Sequence, residues 1–186
     1  MTIPDYQSLM LPVLQLSAEG ETKVPIAAEK IADGLGLTQE ERDEMLPSGK
    51  QRLLHNRIHW AKFYMSKADL IDTPKRGFFV ASEAGHKLLA SSPTRIDNET
   101  LKRIPEFLEF YQSSGSAAST NEKTAAKAAA DADVTPEEQV DAAQAVLNKI
   151  LRAEILERIR ENTPTFFERV IVDLLVGMGY GGSHEK

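Results

Sequence analysis

The sequence predicts a mainly α chain with one small β-hairpin: a winged helix-turn-helix domain followed by a linker and a helical appendage. Three observations lead there. Apolar residues recur at helical spacing through most of residues 1–112. One stretch, "LIDTPKRGFFVAS", breaks that pattern with two β-rich runs around a Pro/Gly turn. Between Ser113 and Asp133 large apolar residues vanish, and helical spacing then resumes.

In order, "IPDYQSLMLPVLQLSAEG" puts Tyr6, Leu9, Met10, Val13, Leu14 and Leu16 at helical spacing, with Pro12 marking a kink or a late start. "VPIAAEKIADGLGL" repeats the pattern and closes on Gly34 and Gly36. Thr38 and Glu41 in "TQEERDEML" form a capping box for a short helix before Pro47. The next helix, "SGKQRLLHNRIHWAKFYMSKA", is expected to start at Ser48 as cap, with Gln51 reciprocating. Its core stripe is Leu54, Ile58, Ala61, Met65 and Ala68, within about 80° at 100° per residue. The far face collects Arg52, Asn56, His59, Phe63 and Ser66, flanked by His55, Lys62 and Lys67.

Two short strands, Leu70–Ile71 and Phe78–Val80, then make a hairpin with Lys75 and Arg76 at its tip. Ser82 caps "EAGHKLL", and "NETLKRIPEFLEFYQ" adds another helix, whose continuity Pro105 weakens. Thr135, Pro136 and the pair Glu137 and Glu138 open a helix running to about Arg160. Its apolar positions are too irregular for a coiled coil. "TPTFFERVIVDLLVGMGYGG" is a last helix, with Phe167, Val170, Ile171, Leu174, Leu175 and Met178 on one face. Glu168, three residues after Thr165, reads first as a capping-box partner. The expected division is 1–112 winged-helix domain, 113–134 linker, 135–162 connecting helix and 163–186 the start of a further domain.

A formal charge of −6 argues against nucleic acid only on average. Residues 50–76 hold seven Lys/Arg against Asp69 and Asp72, a local +5, and the remainder carries −11. Local charge is what steers a polyanion. With no cysteine there is no disulfide, thiolate metal site or thiol nucleophile. The N-terminus lacks a basic start and a small-residue cleavage site, and no apolar run is long enough to span a bilayer, so a cytoplasmic protein is expected.

A winged helix lays its recognition helix in the major groove and its wing on backbone or minor groove. That makes Lys50, Arg52, His55, Asn56, His59, Lys62, Lys67, Lys75 and Arg76 the candidate duplex-DNA contacts. Phe63 and Trp60, near the same face, leave a protein-binding winged helix open. His55 and His59 have metal-ligand spacing, but "HNRIH" lacks the glutamate of a zinc-protease helix and a third ligand, so no metal site is expected. "DGLGL" lacks the lysine and the preceding strand of a phosphate loop.

Several blocks resemble Mrr-like restriction proteins: "IPDYQSLMLPVLQL", "GKQRLLHNRIHWAKFYMSKADLI" with "KRGFFVASEAGHKLL", and "SPTRIDNETL". "TPTFFERVIVDLLVGMGYGG" resembles the first helix of the same family's catalytic domain. The resemblance implies DNA reading by the winged helix, a PD-(D/E)XK-type nuclease domain, Mg²⁺-dependent cleavage, typically of modified DNA, and self-association; the partners it allows are methylated duplex DNA and a second copy bound through residues 136–178. It implies for Glu168 the acidic residue such nucleases carry on their first helix. The family's following strands, with an Asp and a Gln/Glu-x-Lys, have no counterpart before the sequence stops. The expectation is therefore a DNA-targeting part of a restriction endonuclease, inactive by itself and needing no cofactor alone. A winged-helix regulator or adaptor without nuclease ancestry is the alternative.

Overall fold

The computed structural model describes residues 2–114 and 133–180. It is mainly helical with one two-stranded antiparallel sheet among the described residues, consistent with a winged-helix-like plan. The chain divides into two compact units, Met1–Asp141 and Ala142–Lys186.

In the first unit, α1 (Met10–Ala18) starts late, so Pro12 falls in the first turn, where a missing N–H is harmless. α2 (Val24–Leu35) ends on Gly36, whose φ of 65° is the left-handed conformation that closes a helix. α3 (Gln39–Arg42) has the capping box expected from Thr38 and Glu41. α4 (Leu53–Lys67) begins later than the sequence predicts, and Ser48 does not cap it. Leu46 N–H donates to the Gln51 carbonyl at 2.9 Å and Gly49 sits at φ 70°, so residues 46–51 close a turn instead. Arg52 becomes the extended residue before the helix.

β1 (Ile71–Asp72) pairs with β2 (Val80–Ala81) in the register Ile71↔Ala81 and Asp72↔Val80. Thr22, between α1 and α2, exchanges both backbone hydrogen bonds with Phe79 at 2.9 Å and ties that connection to the hairpin. α5 (Glu83–Ala90) is capped by Ser82, as expected. The next predicted helix is two, α6 (Asn98–Leu101) and α7 (Pro105–Ser114), broken where Pro105 cannot continue the ladder. The core gathers Tyr6, Met10 and Leu14 with Ile31 from α2, Ile58 and Met65 from α4, Phe79 from the hairpin and Phe107 from α7. Aliphatic burial of this extent is the main stabilising term of the unit. Gly85 permits the closest approach, because a Cβ there would meet the Leu70 carbonyl oxygen at 2.3 Å.

α8 (Pro136–Glu161) starts in the first unit and continues into the second. Thr135 and Glu138 form its capping box, with Thr135 N–H to Glu138 Oε2 at 2.9 Å. α9 (Pro164–Gly177) is capped by Thr163, whose Oγ1 accepts from Phe166 N–H at 3.3 Å. The Thr165/Glu168 capping box is thus corrected: Pro164 extends the helix backwards, and Thr165 lies inside it. Of the expected linker, residues 115–132 lie outside the described residues. At its far end Asp133 accepts a hydrogen bond from Gln7 Nε2 at 2.9 Å, and the adjoining Thr135 is fully buried.

Candidate nucleic-acid interface

α4 offers three longitudinal faces. Leu54, Ile58, Ala61 and Met65 face the core. A second face, with Asn56, Arg57 and Trp60, is occupied by the start of α8. Asn56 is 1% exposed, and its Oδ1 accepts from Thr135 Oγ1 at 2.7 Å while its Nδ2 donates to Gln51 at 3.3 Å. Arg57 grips Glu138 at 2.6 Å and donates to the Ile3 and Pro4 carbonyls at 2.6 and 3.1 Å. Trp60 Nε1 donates to Glu137, and Ser48 N–H donates to Asp141 at 3.1 Å.

The third face remains open. Arg52, His55, His59, Lys62 and Ser66 span about 80° at 100° per residue. His59 is exposed and the others half-buried. This narrows the sequence-based set: Asn56 was expected beside Arg52 and His59, and it is a buried hydrogen-bonding residue instead. Helical periodicity put it opposite the core, and nothing in that periodicity signalled that another segment of the chain covers it.

Burial, then the neighbouring Arg52 charge, lowers the His55 pKa below its ordinary value. Burial, then Lys62, does the same at His59, partly opposed by Glu137. Arg52 pairs with Asp43 at 2.7 Å. Lys62 lies over the Phe79 ring at 5.9 Å, which places this part of the stripe beside the hairpin. At the wing, Lys75 sits 4.2 Å from the Phe78 ring centroid and pairs with Glu21 at 2.5 Å. Lys23 shares the same ring at 4.3 Å. Sequence reading missed Lys23, because the Thr22–Phe79 bridge and the Glu21–Lys75 pair, not local spacing, bring the α1–α2 connection to the wing. Lys50 and Arg76 are exposed, with no ion pair among the described residues.

Lys67 stands apart from the stripe. It lies over Phe63 and Phe110 at 5.4 and 5.3 Å and lines an open cleft with Asp69, Glu106 and Glu109, an acidic setting unsuited to phosphate. Phe63 and Trp60 are engaged internally: their rings meet edge-on at 5.4 Å, and Phe63 meets Phe110 at 5.9 Å. Those contacts give both rings a packing role within the unit.

Glu168 is exposed on α9. Among the described residues no group of three or more His, Asp or Glu converges to hold a metal ion. The described residues therefore do not fit the Mg²⁺ site that the resemblance implies, and no chemical step is routed through one. No helix among the described residues is long and apolar enough to cross a membrane.

Residues 6–91 match the family model described as the Mrr N-terminal domain. A curated relative, the type IV methyl-directed restriction enzyme EcoKMrr of Escherichia coli (strain K12), is 29% identical over 202 residues. That alignment takes in 100% of this chain and 62% of the relative, so the chain spans less than two thirds of the relative's length. No solved structure matches.

Proposed function

We propose that the first unit, whose residues 6–91 match the Mrr N-terminal domain model, binds duplex DNA as the targeting part of a restriction system. The observation that carries the reading is the open α4 stripe of Arg52, His55, His59 and Lys62, continuous through Lys62 and Phe79 with a basic wing. A helix is about 10–12 Å across, and the major groove is about 12 Å wide. In that groove Arg52 and His59 reach base edges, while Lys50, Lys23, Lys75 and Arg76 meet phosphates. The relative's printed name describes methyl-directed restriction; we extend to this chain a preference for modified duplex, read by the Arg52–His59 stripe.

Titrating the chain with duplex at rising salt tests this reading. Each neutralised phosphate releases counterions, so affinity falls linearly on logarithmic axes with a slope of about −0.9 per contact. Lys75→Ala/Arg76→Ala weakens all duplexes alike and flattens that slope, whereas Arg52→Ala also changes preference among sequences or between methylated and unmethylated duplex. Unchanged binding in an Arg52/Lys75/Arg76 triple alanine variant refutes the placement.

A further inference from the structure

We propose that the head of α8, residues 133–141, is an acidic latch that competes with duplex DNA for the α4 side of the first unit. This rests on the DNA-binding reading above and adds to it a built-in control. Glu137, Glu138 and Asp141 are fixed, respectively, on Trp60 Nε1, Arg57 and the Ser48 N–H. Ser48 lies in the turn that carries Lys50 and leads into Arg52, and the charge of Glu137 is felt at His59. The three carboxylates thus border one flank of the open stripe. A helix that fills the major groove has a phosphate row on each flank. Carboxylates within a Debye length of about 8 Å of one row repel it.

The contact is built to open. Its deeply buried side chain is Thr135, while Val134 and Val140 remain exposed, so little apolar surface holds the head down. What holds it is a set of hydrogen bonds and one ion pair, Arg57–Glu138, whose side chains are each 13% exposed. Contacts with few apolar anchors lie at the low end of local stability. Added phosphate charge therefore acts on a contact held by polar groups.

Trp60 is the one tryptophan of the chain and sits under the latch, so its emission reports release. The test compares the full chain, Glu137→Gln/Glu138→Gln/Asp141→Asn, and a control of equal charge change, Glu106→Gln/Glu109→Gln/Glu157→Gln. Without DNA the latch variant's Trp60 emission moves to the red and the control's does not. For a mixed-sequence duplex the latch variant binds more tightly than the full chain by about tenfold, an ordinary coupling, and by clearly more than the control. Saturating the full chain with duplex produces the same red shift. The latch is refuted if both triple variants gain affinity equally, or if the full chain binds duplex with Trp60 emission unmoved. If the released variant binds no duplex at all, the DNA-binding reading itself fails and the latch fails with it.

Discussion

Ile58 on α4 and Leu147 on α8 are aliphatic residues on helices of comparable apolar content, yet Ile58 is fully buried and Leu147 is 65% exposed. The same contrast runs through both units. In the first, α1 packs on α2, α4 and α5, α2 packs on α4, and the hairpin closes the core. In the second, Leu156, Leu174 and Met178 are each more than half exposed. Exposed apolar surface of that kind is found at interaction sites and at aggregation liabilities alike. Periodicity identifies the side chains that gain by leaving water; it does not identify what covers them.

The largest expected effect tests that contrast directly. Ile58→Ala removes fully packed atoms and is expected to cost about 2–5 kcal/mol. Leu147→Ala, with most of its side chain already in water, is expected to stay within about 0.5 kcal/mol. Urea unfolding followed by far-UV circular dichroism measures both. Similar losses would mean that the second unit has a core which the exposures deny.

A second substitution probes how tightly the first unit is closed. Gly85→Ala forces a methyl toward the Leu70 carbonyl oxygen, 2.3 Å from the ideal Cβ position and held in place by the Ser82 N–H at 3.0 Å. The closest contact is backbone, so a shift of the Leu14 side chain, 3.1 Å away, does not relieve it. The expected destabilisation is about 1–3 kcal/mol, the range for overpacked cores. A neutral result would show that α5 can slide along β1.

Asn56→Ala sharpens the comparison at its boundary, where the start of α8 meets α4. It strips Thr135 Oγ1 and Gln51 of a buried partner, and leaving such groups unpaired costs about 1–3 kcal/mol. Thermal unfolding should register that loss, while the relative affinities for different duplexes stay as they were. A change of base preference without loss of stability would return Asn56 to the reading face.

Asn56 also shows where sequence legibility ends. Local chemistry was readable: the Thr38, Ser82 and Thr135 caps and the Pro105 break follow from neighbouring residues, and the structure has all four. The core stripe of α4 was readable because its period is the helix's own. The Ser48 cap was not, because the turn closed by Leu46 and Gln51 satisfies the backbone groups a helix would otherwise have taken. Contacts between distant segments left no local mark either. Thr135 to Asn56, Glu138 to Arg57 and Lys23 beside the wing are set by packing geometry, and no spacing rule encodes them.

The smallest effect expected is a pH dependence of DNA affinity. His55 and His59 both lie on the open stripe with pKa values lowered by burial and then by the nearby Arg52 and Lys62 charges. At neutral pH both are therefore mainly uncharged. A phosphate placed beside either favours its protonated form, so the DNA-bound state takes up protons and affinity rises as pH falls across about pH 5–8. Stability runs the other way. The unfolded chain protonates these histidines near the ordinary value of 6.5 and the folded chain only below it, so the folded state loses stability as pH falls through that window. Glu138 does not interfere. Burial works against its charge, but Arg57 and Thr135 outweigh burial and hold its pKa below 4.5, so the stabilisation it provides is complete above that value and lost only in stronger acid. Duplex titrations at fixed ionic strength should show affinity growing toward the acid end of the range, and His55→Gln/His59→Gln should flatten that dependence, whatever base-edge contact is lost at about pH 8. An equal pH slope in that variant would place the protonating group elsewhere and remove both histidines from the interface.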